Sequence, residues 1–427
     1  MKTLHLYYFF VYLQIEKYSM TMKKTVYYLL FIILLCIHSC KTPALIEKES
    51  ITFETGFPIQ KDCFGLWYDS ETKKESIYFA TYIDSSYVRF FTLDGKKENF
   101  IQDIPLTQVC KELIDINTIM VYDLDTVICI DGYEHTNRMV FLNRKGEKYY
   151  TMNFDTIKGP MDDLYWILRA YSNNTAKPYI YLSAFYKWRL ANIDSIVVHN
   201  SNKQLTRREI SIKNRIWHFK KLYEIPSVYR FNVQNGQYTY SNPRIYTYFT
   251  PVSSLDSVNE NTCIYEQSLS ISYANKVFVF GRYSNKILVL NPKKLQVEKC
   301  FQLDSKYTEI TTPDIPLKDI MFYKKISDFY LSQGQICNVL FDAKTKYYYI
   351  VERHKLPFED YAFLSDAAFS IHIYDKNFKK LGEQYFEEGK YDFRFIILTS
   401  KGLYIAKNEN SKDYDPEKVQ FFRFEIK

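Results

Sequence analysis

Arginine side chains follow two strand-like runs of this sequence at matching positions, where they could bind an anionic ligand. Arg282 comes after the apolar run that begins at Val277, and Arg353 comes after the run that begins at Tyr347. A guanidinium can hold a carboxylate or a phosphate through two parallel hydrogen bonds. The alternative is that both arginines bridge neighbouring elements or face water. On the first interpretation, the candidate ligand-binding residues are Arg282, Arg353, Glu352, His354 and His135.

The glycine spacing excludes three common catalytic motifs. The chain has 12 glycines, and the closest pair, Gly382 and Gly389, lies seven residues apart. Dinucleotide-binding loops, nucleophile elbows and phosphate-binding P-loops all need glycines at much shorter spacing. No catalytic residue is therefore assigned from the sequence, and no cofactor is predicted.

Metal-binding motifs are also absent as local patterns. After residue 40 the sequence contains no His-x-His, no His-x-x-x-His and no Cys-x-x-Cys. The segment that starts at Asp123 and Asp125 begins like a calcium loop, but Ile128 stands where such a loop needs glycine. The sequence thus predicts no metal site.

The composition indicates that sheets must position these side chains. Of 427 residues, 40 are Tyr and 32 are Phe, and 47% are hydrophobic, which favours pleated, half-buried surfaces around a large core. No stretch after residue 50 reads as a long amphipathic helix, and no Pro-rich, Ser-rich or Gly-rich linker divides the chain. The sequence therefore predicts one all-β domain over residues 51–427.

Short strands and polar turns recur at intervals of about 50 residues, as in four-stranded propeller blades. If the second strand of each unit is taken as its marker, seven units are counted and a β-propeller of seven blades is predicted. If the irregular unit at Tyr229 is not a blade, six blades are expected. A helix-plus-sheet fold is the alternative, but the helical segments that it needs are not found. The markers begin near Ile77, Val127, Tyr179, Tyr229, Val277, Tyr347 and Leu403.

The last unit offers only three strands of its own. The segment from Ile51 to Thr55 alternates apolar and polar side chains, as a half-buried strand does. We expect this N-terminal strand to complete the last blade and remove its exposed edge. A mobile tether is the alternative.

The N-terminal region has the order of a bacterial lipoprotein signal. Lys23 and Lys24 precede an apolar run from Val26 to Ile37, and Ser39 stands directly before Cys40. The run is shorter than the roughly 20 residues that span a bilayer, so a signal peptide over residues 1–39 is predicted. Residues 1–21 are interpreted as an over-extended start. A lipid on Cys40 and a tether over residues 40–50 would follow; the alternative is an uncleaved anchor.

The charge balance bears on possible partners, and the cysteine positions bear on disulfide formation. With the predicted signal removed, 52 basic and 48 acidic residues remain, and this balance does not favour nucleic acid. Six cysteines follow Cys40, and buried thiols are favoured over disulfides because several lie in strand-like runs.

A lipoprotein signal followed by one domain of degenerate Tyr-rich blades resembles the six- to seven-bladed, TolB-like β-propeller lipoproteins of anaerobic Gram-negative bacteria. The resemblance implies the fold and a location in the cell envelope, with the outer membrane expected. It implies no reaction, and it does not indicate on which side of that membrane the domain lies. We therefore expect a non-catalytic propeller that binds a protein or a glycan or anionic ligand. The alternative is a propeller enzyme that acts on glycans or small organic anions, as a lyase, hydrolase or lactonase.

Overall fold

The structure is a computed structural model, and it describes most of the chain from residue 43 onward. The described ranges are 43–60, 63–153 without 70–73, 82–85, 94–99, 114–115 and 134–135, then 165–171, 178–186, 226–249 without 242, 269–310 without 282–283, 333–356 and 364–427, with isolated positions between 206 and 220 and at 259, 261 and 316. Residues Ala44–Lys427 form one compact unit.

Within these ranges the chain forms six antiparallel sheets of four strands each. Blade 1 contains β2 (Phe64–Tyr68), β3 (Glu75–Thr81), β4 (Tyr87–Thr92) and β5 (Phe100–Pro105). Blade 2 contains β6 (Ile116–Asp123), β7 (Thr126–Tyr133), β8 (Thr136–Leu142) and β9 (Lys148–Asn153). Blade 3 contains β10 (Tyr165–Tyr171), β11 (Tyr179–Tyr186), β12 (Val228–Asn232) and β13 (Tyr238–Tyr240).

The second half of the unit continues the same pattern. Blade 4 contains β14 (Leu269–Tyr273), β15 (Val277–Gly281), β16 (Lys286–Leu290) and β17 (Val297–Gln302). Blade 5 contains β18 (Gln335–Asp342), β19 (Tyr347–Arg353), β20 (Phe369–Tyr374) and β21 (Lys380–Phe386). Blade 6 contains β22 (Tyr391–Thr399), β23 (Gly402–Lys407), β24 (Lys418–Ile426) and the N-terminal strand β1 (Leu45–Glu54). Helices with described bounds include one α-helical turn, Thr107–Cys110, and a 3-10 helix, Pro243–Tyr248.

The first strands of the six sheets form a closed ring. Each of β2, β6, β10, β14, β18 and β22 contacts the first strand of the next blade, and β22 contacts β2. The apolar core lies between the blades: Phe278 of blade 4 packs with Ile350 of blade 5, and Val351 of blade 5 packs with Ile405 of blade 6. The fold is a six-bladed β-propeller.

The preference for seven blades is wrong, and the reason lies in blade 3. Tyr179 and Tyr229 were expected to mark two blades, but they lie in β11 and β12, which are paired neighbours in one sheet. Tyr229 is thus in a third strand, whereas the other six markers lie in second strands or, at Leu403, in the corresponding strand of blade 6. A connection of more than 40 residues between β11 and β12 imitates the spacing of one blade.

The N-terminal strand closes the ring as predicted. In β1, Thr52 pairs with Gln420 and Phe53 with Val419 of β24, so the first strand in sequence is the outer strand of the last blade. The strand is longer than expected, because it begins at Leu45, opposite Ile426, and not at Ile51. Residues 45–50, which were expected to be tether, therefore belong to the sheet.

A tight turn sets the register of the first two strands of blade 5. The carboxylate of Asp342 accepts hydrogen bonds from the Lys344 amide and the Thr345 hydroxyl, both at 2.8 Å. Lys346 adopts a positive φ of 62°, which brings the chain back antiparallel. The turn therefore fixes which side of β19 faces blade 4.

No helix in the described part of the chain has the length and apolar character needed to cross a bilayer. Four of the six cysteines after Cys40 are described as thiols: Cys63 and Cys129 are buried, Cys337 is half-buried and Cys300 is exposed.

Candidate functional site

Three polar side chains from neighbouring strands of blade 5 bring their titratable atoms within 4.8 Å of one another. Glu352 lies in β19, His372 in β20 and Glu383 in β21, and His372 stands directly opposite Glu383 in the sheet. Residues two apart in a strand share a face, so Glu352 lies on the same side as Ile350, which packs against blade 4. The three side chains, called here the blade-5 cluster, thus lie between blades 4 and 5.

Each ring nitrogen of His372 faces a different carboxylate. Nε2 lies 2.9 Å from Oε2 of Glu352, and Nδ1 lies 3.6 Å from Oε2 of Glu383. All three side chains are at most 1% exposed. Burial of two carboxylates is costly unless cations or hydrogen-bond donors offset their charge, so the surroundings of the cluster matter.

Glu383 is the best-supported member of the cluster. Its Oε2 lies 2.6 Å from Nζ of Lys380, and its carboxylate accepts hydrogen bonds from the Lys306 amide and the Ser305 hydroxyl. Burial by itself would raise the pKa of Glu383, but the Lys380 hydrogen bond and the His372 charge outweigh burial and hold the pKa below its ordinary value. Glu383 is therefore a carboxylate at neutral pH.

The same contacts anchor the connector from blade 4 to blade 5. Besides its bond to Glu383, Lys380 donates to the carbonyl of Asp304. The Ser305 hydroxyl accepts hydrogen bonds from the amides of Tyr307 and Thr308, at 3.4 and 3.3 Å. Residues 304–308 are thus tied to β21 through hydrogen bonds to Lys380 and Glu383.

Two tyrosine rings lie at the solvent end of this arrangement. Tyr307 on the connector and Tyr385 on β21 are 51% and 41% exposed, and their ring centroids are 5.0 Å apart. The imidazole of His354 packs against both rings, at 5.9 and 5.3 Å, and is itself only 6% exposed. We call Tyr307 and Tyr385 the tyrosine platform.

His354 forms the floor of that platform and is uncharged at neutral pH. Its Nε2 is 2.9 Å from the Ser370 hydroxyl, so the ring is held in place by a side chain of the next strand. Burial, together with the nearby charges of His372 and Arg353, lowers the pKa of His354 to about 4. At neutral pH the imidazole therefore carries no charge under the two tyrosines.

Arg353 is not open to an anionic ligand. Its guanidinium donates to the backbone carbonyls of His354 and Gln333, at 3.1 and 3.0 Å, and the residue is 1% exposed. It lies in the second strand of its blade, whereas the central ring is made of first strands. Of the predicted ligand-binding residues, the structure brings together Glu352, Arg353 and His354, while Arg282 and His135 lie outside the described residues.

Sequence reasoning missed His372, Glu383 and both tyrosines. His372 lies 20 residues from Glu352 in the chain, and Glu383 lies 11 residues further, so no spacing motif links them. A signal was nevertheless present: Ser370 and His372 alternate with apolar residues in a strand whose residues are all buried. Polar side chains on a buried strand need partners, and such positions could have been flagged.

A cavity lies on blade 3. A cavity of about 470 Å³ is lined by Tyr179, Arg230, Asn232, Gly236, Gln237, Tyr238 and Thr239. The guanidinium of Arg230 stacks on Tyr179 at 4.0 Å and donates to the carbonyl of Lys293 at 2.8 Å. These contacts already use the cation to join blade 3 to a turn of blade 4.

Neither a protein-family model nor a curated protein matches the chain. Among solved structures, a protein of the DUF4221 family from Bacteroides vulgatus superposes with a TM-score of 0.62 at 15% identity, covering 91% of this chain and 99% of its own. A Bacteroides fragilis protein described as exported gives a TM-score of 0.45 at 10% identity, with 90% and 96% covered. The β-propeller domain of Cps50 (Swd1) from Myceliophthora thermophila gives 0.38 at 6% identity, with 89% and 99% covered. At these identities the first likeness concerns the fold alone.

Proposed function

We propose that this protein is a glycan-binding β-propeller of the bacterial cell envelope and that the tyrosine platform is its binding surface. One observation carries the proposal: Tyr307 and Tyr385 are 51% and 41% exposed and lie side by side, with ring centroids 5.0 Å apart. Tyrosine combines a flat apolar face with a hydroxyl group, and this combination suits a sugar ring with one apolar face and several hydroxyl groups.

The base of the platform supports this function. A binding surface gains affinity when its side chains are held in place before the ligand arrives. Tyr307 is held through the connector, and Tyr385 is held by β21 and by contact with His354. The rings are therefore fixed from below and need little further ordering on binding.

Binding is favoured over catalysis by the burial of the titratable groups. The carboxylates and imidazoles beneath the platform, those of Glu352, His354, His372 and Glu383, are at most 6% exposed. A general acid or base must come within hydrogen-bond reach of its substrate. A lyase, hydrolase or lactonase at this site would need one of these groups to be open.

The envelope location is proposed from the sequence before Leu45. The basic pair Lys23-Lys24, the apolar run and the small residue before Cys40 are the features of a lipoprotein signal. Two or three acyl chains on Cys40 would hold the propeller at a membrane almost permanently, because each buried methylene contributes about 0.8 kcal/mol. The outer membrane and a TolB-like lipoprotein family are part of this proposal.

The binding proposal is tested on a glycan array with the mature protein. We expect a set of bound glycans for the wild type and a loss of at least tenfold in affinity when both Tyr307 and Tyr385 are changed to Ala. The matched control changes Tyr149 and Tyr150 to Ala, because these tyrosines of β9 are 55% and 47% exposed on another blade. If the wild type bound no glycan, or if both double variants lost affinity equally, the platform would be rejected as a glycan-binding site.

The anchor is tested by labelling with a radioactive fatty acid in cells. Cys40→Ala should lose the label and leave the membrane fraction. Cys36→Ala is the matched control, because this cysteine lies four residues earlier inside the apolar run. Retained label in Cys40→Ala would show that no lipid is attached there.

A further inference from the structure

We propose that the blade-5 cluster binds a divalent metal ion of the zinc type. The site is distinct from the tyrosine platform and does not depend on glycan binding. Glu352, His372 and Glu383 each offer a ligand atom, and these atoms all lie within 4.8 Å of one another. Imidazole nitrogen together with carboxylate oxygen is a donor set that zinc commonly uses.

Two atoms of the cluster lack the hydrogen bonds that buried polar atoms normally make. Within the described part of the chain, Nδ1 of His372 and Oε1 of Glu352 are buried and have no hydrogen-bond partner. In native proteins such atoms are rare, and they often mark the binding site of an ion or a water molecule. In the neutral imidazole Nδ1 carries a lone pair, as Oε1 of Glu352 does, so a bound cation would satisfy both atoms.

The distance between His372 and Glu383 fits metal ligands better than a hydrogen bond. Nδ1 of His372 and Oε2 of Glu383 are 3.6 Å apart, which is beyond the usual range for a hydrogen bond. Two ligands held about 2.0–2.1 Å from one zinc ion at a tetrahedral angle are about 3.4 Å apart. A metal ion therefore fits between these atoms with a small adjustment.

The other ring nitrogen of His372 makes the hydrogen bond to a carboxylate that metal-bound imidazoles usually make. Nε2 is 2.9 Å from Oε2 of Glu352, as expected when a metal-bound imidazole donates its other N–H to a carboxylate. Glu352 can keep this role through Oε2 or rotate to bind the ion through Oε1. Hydrogen bonds from Ser305 and Lys306 orient Glu383 in the same way.

The charges of the cluster also call for a cation. Glu352 and Glu383 are both enclosed, and the ammonium group of Lys380 bonds only to Glu383 of the two. Isolated buried carboxylates are strongly unfavourable. A divalent cation between these carboxylates would offset their charge.

The test is metal analysis of the full mature protein, purified with a tag that contains no histidine. Inductively coupled plasma mass spectrometry of the wild type should find about one zinc or other transition-metal ion per chain. His372→Gln and Glu383→Gln should each hold less than one tenth of that amount. His354→Gln is the matched control, because this second buried imidazole of blade 5 is bonded to Ser370 and not to a carboxylate.

A second measurement covers variants that fail to fold. After removal of metal with a chelator, the wild type is titrated with Zn²⁺ and with Co²⁺. We expect a rise in Tm of about 5 °C with Zn²⁺, since a ligand that binds only the folded state stabilises it, and visible Co²⁺ bands from nitrogen and oxygen ligands. A metal-free wild type whose Tm and Co²⁺ spectrum do not respond would overturn the proposal. Equal metal content in wild type and His372→Gln would overturn it as well.

Discussion

Phe53 packs against Phe421 with ring centroids 6.1 Å apart and nearly perpendicular ring planes. The first residue belongs to the N-terminal strand and the second to the last strand, so this contact joins the two ends of the chain within blade 6. Phe53 also contacts Phe79 and Phe91 of blade 1, at 5.6 and 5.4 Å. One buried ring therefore links both the closing strand to its sheet and the last blade to the first.

Phe53→Ala should lower the free energy of unfolding by about 3–5 kcal/mol, because it removes a fully buried aromatic ring and leaves a cavity between two blades. Denaturant unfolding of the mature protein measures the loss. Phe100→Ala is the matched control: this ring is 54% exposed on the outer strand of blade 1, and a loss of about 1 kcal/mol or less is expected. Deletion of residues 41–56 should lower the Tm further, and an unchanged Tm would contradict closure by β1.

Gly146→Ala should destabilise the protein more than Gly236→Ala. Both glycines adopt a positive φ, 75° and 72°, so both substitutions carry a backbone cost of about 1 kcal/mol. A Cβ at Gly146 would stand 1.9 Å from the carbonyl oxygen of Pro105, whereas one at Gly236 meets nothing within 4 Å. The difference in Tm between the two variants isolates the steric contact between blades 1 and 2, and equal Tm values would contradict that contact.

His354 should make the protein less stable in mild acid. The pKa of this buried imidazole is lowered to about 4, while an unfolded histidine titrates near about 6.5. Between these values the unfolded chain binds the additional proton, so stability rises with pH across this window and is lost as pH falls from about 6.5 to about 4. His354→Gln should show a smaller drop in the free energy of unfolding between pH 7 and pH 5 than the wild type does. Identical drops would show that another group is responsible.

Lys380→Met should loosen the connector that carries Tyr307. The substitution removes the cation from a carboxylate whose side chain is 0% exposed, and a loss of about 2–3 kcal/mol is expected. Limited proteolysis with trypsin should cut faster after Lys306. Lys276→Met is the control, since its ion pair with Glu298 is more than one third exposed on both sides and contributes about 0–1 kcal/mol. An unchanged rate of cleavage after Lys306 would show that the Lys380 contact does not hold the connector in place.

Strand positions followed from the sequence because they depend on local patterns. Alternating and apolar runs placed strands at Ile77, Val127, Val277 and Tyr347, and each lies in the second strand of its blade. The run from Ile51 to Thr55 was likewise recognised as the closing strand. These features need only near neighbours in the chain, because a strand's period of two is set by the backbone itself.

The number of blades and the composition of the site were decided by tertiary structure. Tyr229 resembles the start of a blade in spacing, but hydrogen bonds from β12 to β11 place it in the preceding one. Arg353 has the position of a ligand-binding residue in the sequence, yet it is buried and its guanidinium donates to the carbonyls of His354 and Gln333. His372 and Glu383 meet because β20 and β21 pair in one sheet, and Tyr307 meets Tyr385 because the connector returns to β21. Spacing along the chain cannot encode such contacts, since they depend on which strands pair and on which side of the sheet each neighbouring blade packs.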